Sequence, residues 1–314
     1  MAGPILIVGD RGIGDMVLAH GLLQALRAQE PDSPIDVVAT PANAAVAELF
    51  PEVRTTLVLE NRPGRLDLGR RLALLREVKQ GGYAQAFVLR HYLKDALLPW
   101  LARIPRRVGW HGGEGRHLLL TDALPNSGLP AHRARQLAAL AHPAGAEFEL
   151  LEPRLAVPAA GEEELRNKQP ELAAASDLAA LCPGGVSPRG KQWPAAAYAK
   201  VADWLAARDL RPVIVGAAAD REQARQIIAA ASAKEIADMT GGLSLPASLA
   251  LLARCRVLVS NDTGLMHAGA ALGITTLGVF VKTEPATWSP VGANAHWLAP
   301  ASAADAIAKL ERII

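Results

Sequence analysis

The sequence predicts an α/β protein made of two doubly wound halves, and three observations carry that prediction. Ten short apolar runs recur along the 314 residues, each followed by a Gly- or Pro-containing turn and a helical pattern, which is the rhythm of βαβ units. With 50% hydrophobic and 20% charged residues, the chain lies far from the composition of disordered segments. The length suits two domains of ordinary size, and the proline-bearing, weakly periodic stretch Leu151 to Gln169 separates the runs into two sets.

In the first half, strands are expected at Ile5 to Val8, Ile35 to Ala39, Thr56 to Leu59, Ala86 to Leu89 and near Arg107 to Gly109. Helical patterns between them include Asp15 to Arg27, Asp67 to Lys79 and Lys94 to Arg103. In the second half, strands are expected at Leu178 to Cys182, Pro212 to Gly216, Glu235 to Met239, Val257 to Ser260 and Ile274 to Val281. The boundary is placed near Pro158, giving domains 1–158 and 159–314. Ligands of open α/β sheets bind at the carboxyl ends of the strands, so two Rossmann-like domains in tandem are expected to face a central, two-substrate cleft.

Composition narrows the function. The 33 Lys and Arg against 31 Asp and Glu provide no global basic field, which argues against nucleic acid as a partner. Cys182 and Cys255 have neither disulfide-framework nor metal-ligand spacing, so no metal site is expected and a reducing cytoplasm fits. The opening MAGPILIVGD lacks the basic region of a signal peptide. Thr263 to Val281 contains no Asp, Glu, Lys or Arg, yet its glycines and threonines read as a short helix, a stop at Gly273 and a buried strand rather than a membrane span.

Four motifs carry chemistry. Gly9-Asp10-Arg11-Gly12-Ile13-Gly14-Asp15 follows the first strand, but its glycine spacing is not that of a dinucleotide fingerprint, and two carboxylates would repel a pyrophosphate. Asp15 either complements the start of the helix or acts as a general base toward a hydroxyl. The run Cys182 to Pro194, CPGGVSPRGKQWP, offers glycines for close approach, the Ser187 hydroxyl and the cations Arg189 and Lys191, a set able to hold a diphosphate; a solvated loop with Trp193 packed beneath it is the alternative.

Ser260-Asn-Asp-Thr-Gly-Leu-Met-His267 ends a strand and opens a helix, so Asp262 or Asn261 can cap it while Thr263, Gly264 and the next N–H groups face an anion. His267, one turn on, faces the same ligand or is a satisfied buried histidine. From Arg90 to Arg135 the chain carries eight Lys or Arg against Asp95, Glu114 and Asp122, with four histidines interleaved. That excess, with the glycines of VGWHGGEGRH, suggests a mobile basic rim and an acidic acceptor.

Together GDRGIGDM, RRVGWHGGEGRHLLLTD, LCPGGVSPRGKQWP and VLVSNDTGLMHAGAALG, in that order across nearly the whole chain, resemble glycosyltransferase family 9, the bacterial ADP-heptose:lipopolysaccharide heptosyltransferases. Within the family they look most like the heptosyltransferase II group. The resemblance implies a GT-B fold with an N-terminal acceptor domain and a C-terminal ADP-sugar domain. It also implies inverting transfer without a covalent intermediate, ADP-heptose as a substrate and no required cofactor.

It implies Asp15 as base, with Ser187, Lys191, Glu222, Asp262, Thr263, Gly264 and His267 on the donor. The basic region, represented by Arg90, Lys94, Arg107, His111 and Arg116, would receive a lipopolysaccharide inner core, Kdo-lipid A with or without a first heptose, at the inner face of the cytoplasmic membrane. The chain departs from the family at Val281-Lys282-Thr283-Glu284-Pro285, where a Gly-Pro-Thr or Gly-Pro-Ser run is common. Heptosyltransferase I or another core transferase of the family, and a non-catalytic sugar-nucleotide-binding protein, are the competing readings.

Overall fold

The computed structural model describes residues 3–59, 68–184, 192–299 and 302–314, so Ser187 and Lys191 lie outside the described residues. The chain divides into two compact units, Met1–Pro153 and Arg154–Ile314. The division falls upstream of Pro158 because the intervening segment already belongs to the second unit: Leu155 N–H donates to Ala271 O (2.8 Å).

The first unit is a six-stranded parallel sheet of β1 (Ile5–Val8), β2 (Ile35–Ala39), β3 (Val53–Val58), β4 (Gln85–Val88), β5 (Arg106–Trp110) and β6 (Asp122–Leu124), in the order β3-β2-β1-β4-β5-β6. Its helices are α1 (Ile13–Leu18), α2 (His20–Gln29), α3 (Ala44–Ala47), α4 (Leu68–Gln80), α5 (Leu93–Leu101) and α6 (Arg133–Ala138). β1 is apolar at all four positions and buried at all four, as expected for a strand covered on both faces. The helix expected over Asp15 to Arg27 is instead two. At Ala19 the backbone tightens, and its N–H is shared between Asp15 O (3.0 Å) and Met16 O (3.2 Å).

The second unit opens with α7 (Ala159–Lys168) and α8 (Pro170–Ala174) and then builds β7 (Leu178–Cys182), α9 (Ala195–Ala206), β8 (Arg211–Ile214), α10 (Arg221–Ala230), β9 (Ala237–Asp238) and α11 (Leu245–Leu252). β10 (Cys255–Asn261), α12 (Gly264–Ala271), β11 (Thr275–Val279), α13 (Pro285–Trp288), β12 (Ala295–Leu298) and α14 (Ala303–Ile313) complete it. Its order, β12-β11-β10-β7-β8-β9, is the same doubly wound pattern with every described pair parallel. β6 and β12 were not expected. Both are short sheet-edge strands without a continuous buried run, and that leaves no apolar signature.

In each sheet the connection reverses direction beside the first strand, between β1 and β4 and between β7 and β10. Such switch points are where open α/β sheets bind ligands. The motifs read from the sequence, GDRGIGD, CPGG and SNDTG, leave the sheets from strands at those two points.

Candidate active site

In the first unit, β1 delivers Gly9 to Asp15. Gly9 N–H donates to Val38 O (3.0 Å), and a Cβ on Gly9 would lie 2.8 Å from that oxygen, so only glycine lets the chain leave the sheet this closely. Asn43, fully buried, clamps the loop: its amide donates to Asp10 O (2.7 Å) and Gly12 O (3.3 Å), while its Oδ1 accepts from Thr40 N–H (2.8 Å). Asp15 stands in the first turn of α1 with its carboxylate folded back over Gly12, where a Cβ would come within 2.8 Å of Oδ2.

Asp10 and Asp15 do not face an open loop. Asp10 Oδ1 pairs with Arg90 Nε (3.2 Å) and its Oδ2 with Arg133 Nη2 (3.0 Å); Arg90 also reaches Asp95 Oδ2 (3.2 Å), and Arg133 Nε lies 3.5 Å from Asp15 Oδ1. Burial, and then the like charge of Asp10, push the Asp15 carboxyl from its usual 3.8 up to about 6, against the opposing pull of Arg133 and Arg90. A carboxylate held near neutrality in this way is suited to accept a proton.

The other expected acceptor contacts separate. Arg90 and Lys94 share the Tyr92 ring, at 4.6 and 5.3 Å from its centroid. His111 leaves β5 on the same sheet edge, exposed, its ring stacked on His117 at 4.4 Å. Arg107 is at the opposite, amino end of β5, its guanidinium spent on Leu119 O (2.7 Å) and Ile104 O (2.5 Å).

Arg116 lies beneath the loop rather than on a mobile rim. It is fully buried, donates to the carbonyls of Trp110 and Val88 (3.1 Å to the latter), and burial lowers its pKa to about 10. Gly109 and Gly112 make the space: a Cβ at Gly109 would lie 2.7 Å from Arg116 Nη2, and one at Gly112 3.1 Å from its Cδ. Of the expected acceptor residues, Arg107 and Arg116 are thus the two whose guanidiniums donate to backbone carbonyls. Arg133, Asp10 and Asn43 were missed as site residues. The charge run contained Arg133, but nothing local distinguishes an arginine that turns inward from one that is solvated.

In the second unit, Thr263 caps α12, its Oγ1 accepting from Met266 N–H (3.3 Å) and lying 3.1 Å from Ser260 Oγ and 3.6 Å from Cys182 Sγ. Gly264 is the first helical residue, so the helix N-terminus opens at the sheet edge. Asp262 and His267 are both buried, with Oδ1 and Nε2 3.9 Å apart. Asn261, fully buried, serves here as Asn43 does in the first unit. It donates to Pro183 O (2.9 Å) and Gly184 O (3.0 Å) and accepts from Trp193 N–H (3.2 Å) and Tyr198 OH (3.1 Å).

Both ends of the loop between β7 and α9 are therefore held by one side chain. Glu222, in the first turn of α10, is exposed, pairs with Arg225 (3.0 Å) and borders an open groove of about 430 Å³ lined also by Gln192, Trp193, Gln223 and Gln226. Asp220, unanticipated, is buried against Gly184 and Gly216, where added Cβ atoms would lie 3.0 and 2.8 Å from its Oδ2.

Comparison with known proteins agrees with this architecture. Residues 71–309 match the family model described as glycosyltransferase family 9 (heptosyltransferase). The chain is 32% identical over 304 residues to lipopolysaccharide heptosyltransferase 2 of Salmonella typhimurium, covering 93% of this chain and 86% of that protein. It is likewise 32% identical over 302 residues to lipooligosaccharide heptosyltransferase 2 of Haemophilus influenzae, covering 93% and 87%. Among solved structures it is similar to the E. coli ADP-heptose lps heptosyltransferase II, with a TM-score of 0.87, 27% identity and coverage of 99% and 98%.

The fold also matches the E. coli heptosyltransferase WaaC with ADP, at a TM-score of 0.80, 19% identity and coverage of 99% and 100%. The α/β fold of two parallel six-stranded sheets is thus the GT-B fold of these enzymes. The chain belongs to glycosyltransferase family 9, the heptosyltransferases, and is a glycosyltransferase.

Proposed function

We propose that the chain transfers a heptose from ADP-heptose to the inner core of lipopolysaccharide, with inversion at the anomeric carbon. The observation that carries the reading is Asp15, a carboxylate held near neutrality at the switch point of the first sheet. The relatives' names supply the donor and acceptor classes.

Asp15 takes the proton of the acceptor hydroxyl as its oxygen bonds to the anomeric carbon. The bond from that carbon to the diphosphate breaks in the same displacement, and ADP leaves with the electron pair. Lys191, Ser187 and the helix start at Thr263 and Gly264 stabilise the charge that builds on the leaving group, with Asp262 and His267 behind them. Glu222 lies toward the ribose. Exposed Lys94 and His111 receive the anionic groups of the acceptor, beside Arg90 with its guanidinium paired to Asp10 and Asp95, and ADP-heptose is a substrate, with no cofactor required.

No helix among the described residues is long and apolar enough to cross a membrane. Peripheral contact at the cytoplasmic face is supported by one face of the first unit. There Leu74, Val78 and Ala96 pack inward from α4 and α5, while the same two helices and the segments that follow α5 carry exposed Leu72, Trp100, Leu101 and Leu118 and exposed Arg76, Lys79, Lys94 and Arg103.

The test is incubation with ADP-heptose and a panel of truncated core lipopolysaccharides, read by mass. Addition of one heptose to an acceptor already carrying a first heptose is expected. Addition only to Kdo-lipid A would reassign the chain to the heptosyltransferase I reaction, and ADP-heptose binding without turnover would make it a sensor. Lys191→Ala should weaken ADP binding about 10- to 150-fold by calorimetry, since a charge-assisted contact contributes about 1.5–3 kcal/mol.

A further inference from the structure

Five charged groups meet at the carboxyl edge of β1 and β4: Asp10, Asp15 and Asp95 against Arg90 and Arg133. The pairing is uneven. Among the described residues Asp10 takes a contact from both arginines, whereas Asp95 and Asp15 take one each, from Arg90 Nη1 at 3.2 Å and from Arg133 Nε at 3.5 Å. Asp95 also feels Arg11 and Lys94, whereas the cations acting on Asp15 are Arg133 and Arg90, opposed by the like charge of Asp10.

Arg133 is itself immobilised. It is 6% exposed, begins α6, and its Nη2 also donates to Leu89 O (3.2 Å), where the chain leaves β4. The two oxygens of Asp15 therefore differ: Oδ1 faces Arg133, while Oδ2 lies over Gly12, where a side chain would collide with it, and no hydrogen bond among the described residues reaches it.

We infer that Arg133 and Asp10 are positioning residues for the transfer reaction, Arg133 holding Asp15 by Oδ1 so that Oδ2 is presented to the acceptor hydroxyl, and Asp10 holding Arg133. The inference rests on the reading of Asp15 as the base. Arg133 alone would hold Asp15 ionised and make it a weak base. Burial opposes that most strongly, and the like charge of Asp10 adds to it.

The groups facing Asp15 from its neighbours agree with this division. The β1 loop contributes Asp10, with Arg11 acting on Asp95 beside it; the end of β4 contributes Arg90, with His91 next to Asp10 and Arg133; and α6 contributes Arg133, with Arg135 turned to solvent. α3 contributes no titratable side chain, with Glu48 at its end exposed, and His20 of α2 is engaged by Glu52 (2.9 Å) and stacked on Phe50.

The two residues act on Asp15 with opposite sign, which a merely structural role would not produce. In the enzyme without substrates, the Asp15 carboxyl followed by carbon-13 NMR is expected to titrate near pH 6, to move upward in Arg133→Gln and downward in Asp10→Asn. The acid limb of kcat/KM for heptose transfer is expected to move the same way in each variant. Arg133→Gln should also lower the plateau about 10- to 100-fold through lost orientation, with ADP affinity unchanged.

Arg133→Lys keeps the charge without the fork, moves the titration upward by less than Gln does, and carries the test if the Gln variant does not fold. Titrations that stay in place, or that move in the same direction in Arg133→Gln and Asp10→Asn, overturn the inference. Titrations that move as stated while the kinetic limb stays at its wild-type pH leave the charge arrangement standing and remove Asp15 as the base.

Discussion

The two units share a strand order, a switch point beside the first strand and a fully buried asparagine that clamps the switch-point loop, yet their chemistry is opposite. In the first unit the space above the sheet is filled by carboxylates and guanidiniums, and the helix that begins there has Asp15 in its first turn. Among the described residues of the second, the switch point carries Gly184, the Ser260 and Thr263 hydroxyls and the Thr263-capped N-terminus of α12, with Asp262 and His267 buried beside it. On the proposed reading one scaffold supports a proton acceptor at one edge and an anion site at the other. The difference lies in the loop residues that leave the central strands, while β1 and β7 are alike in being buried at every position.

The largest expected effect that separates the two edges is at Asp15. Asp15→Asn should lower heptose transfer about 100- to 10,000-fold while leaving ADP affinity as it was. The same variant makes a stability test of opposite sign to that of an ordinary helix-start aspartate. Because folding raises the Asp15 pKa from 3.8 to about 6, the ionised form is disfavoured in the native state. Wild-type stability contributed by this group is therefore present below about pH 4 and lost as pH rises to about 6. Asp15→Asn should raise Tm at pH 8, by the equivalent of about 1–3 kcal/mol, and make no difference at pH 4. A lower Tm at pH 8 would return Asp15 to the role of a helix-start charge.

Arg116 tests whether the basic region binds or braces. Arg116→Leu should cost about 2–4 kcal/mol in urea unfolding, because the carbonyls of Trp110 and Val88 lose their donor inside the protein. A stable Arg116→Leu protein with a raised KM for acceptor would put the residue back among the binding contacts.

The two asparagines sharpen the comparison further. Each change to Ala should cost about 1–3 kcal/mol of stability. Asn261→Ala should weaken ADP binding and Asn43→Ala should lower transfer with ADP binding intact, so matched calorimetry and turnover on the pair reads out which edge serves which substrate. Equal loss of ADP affinity in both would erase the distinction. The smallest effect is expected for Thr263→Val, which removes the cap of α12 and should cost about 0.5–2 kcal/mol in thermal unfolding.

Central strands were legible because burial on both faces demands continuous apolar residues. β1, β2 and β7 appear where the sequence places them, whereas the thin edge strands β6 and β12 do not announce themselves. Glycines with acidic or hydroxyl residues after a strand marked both switch-point loops, since a loop that must both turn tightly and present polar groups has few residue types to use.

What local pattern could not separate was which of the cations in Arg90 to Arg135 face a ligand. Arg90 and Lys94 gather beside Tyr92 at the edge, Arg107 is tied down at the other end of its strand, and Arg116 is buried in a cradle whose glycines, Gly109 and Gly112, were read as signs of mobility. The sequence by itself determined the fold class, the two halves and the order of the motifs, because those follow from hydrophobic periodicity and turn chemistry within a few residues. Only the tertiary structure decided that Asp10 pairs with two arginines from distant segments and that Asp15 is buried beside it, sharing Arg133. A charge balance depends on distance and burial, and those are set by which elements the fold brings together.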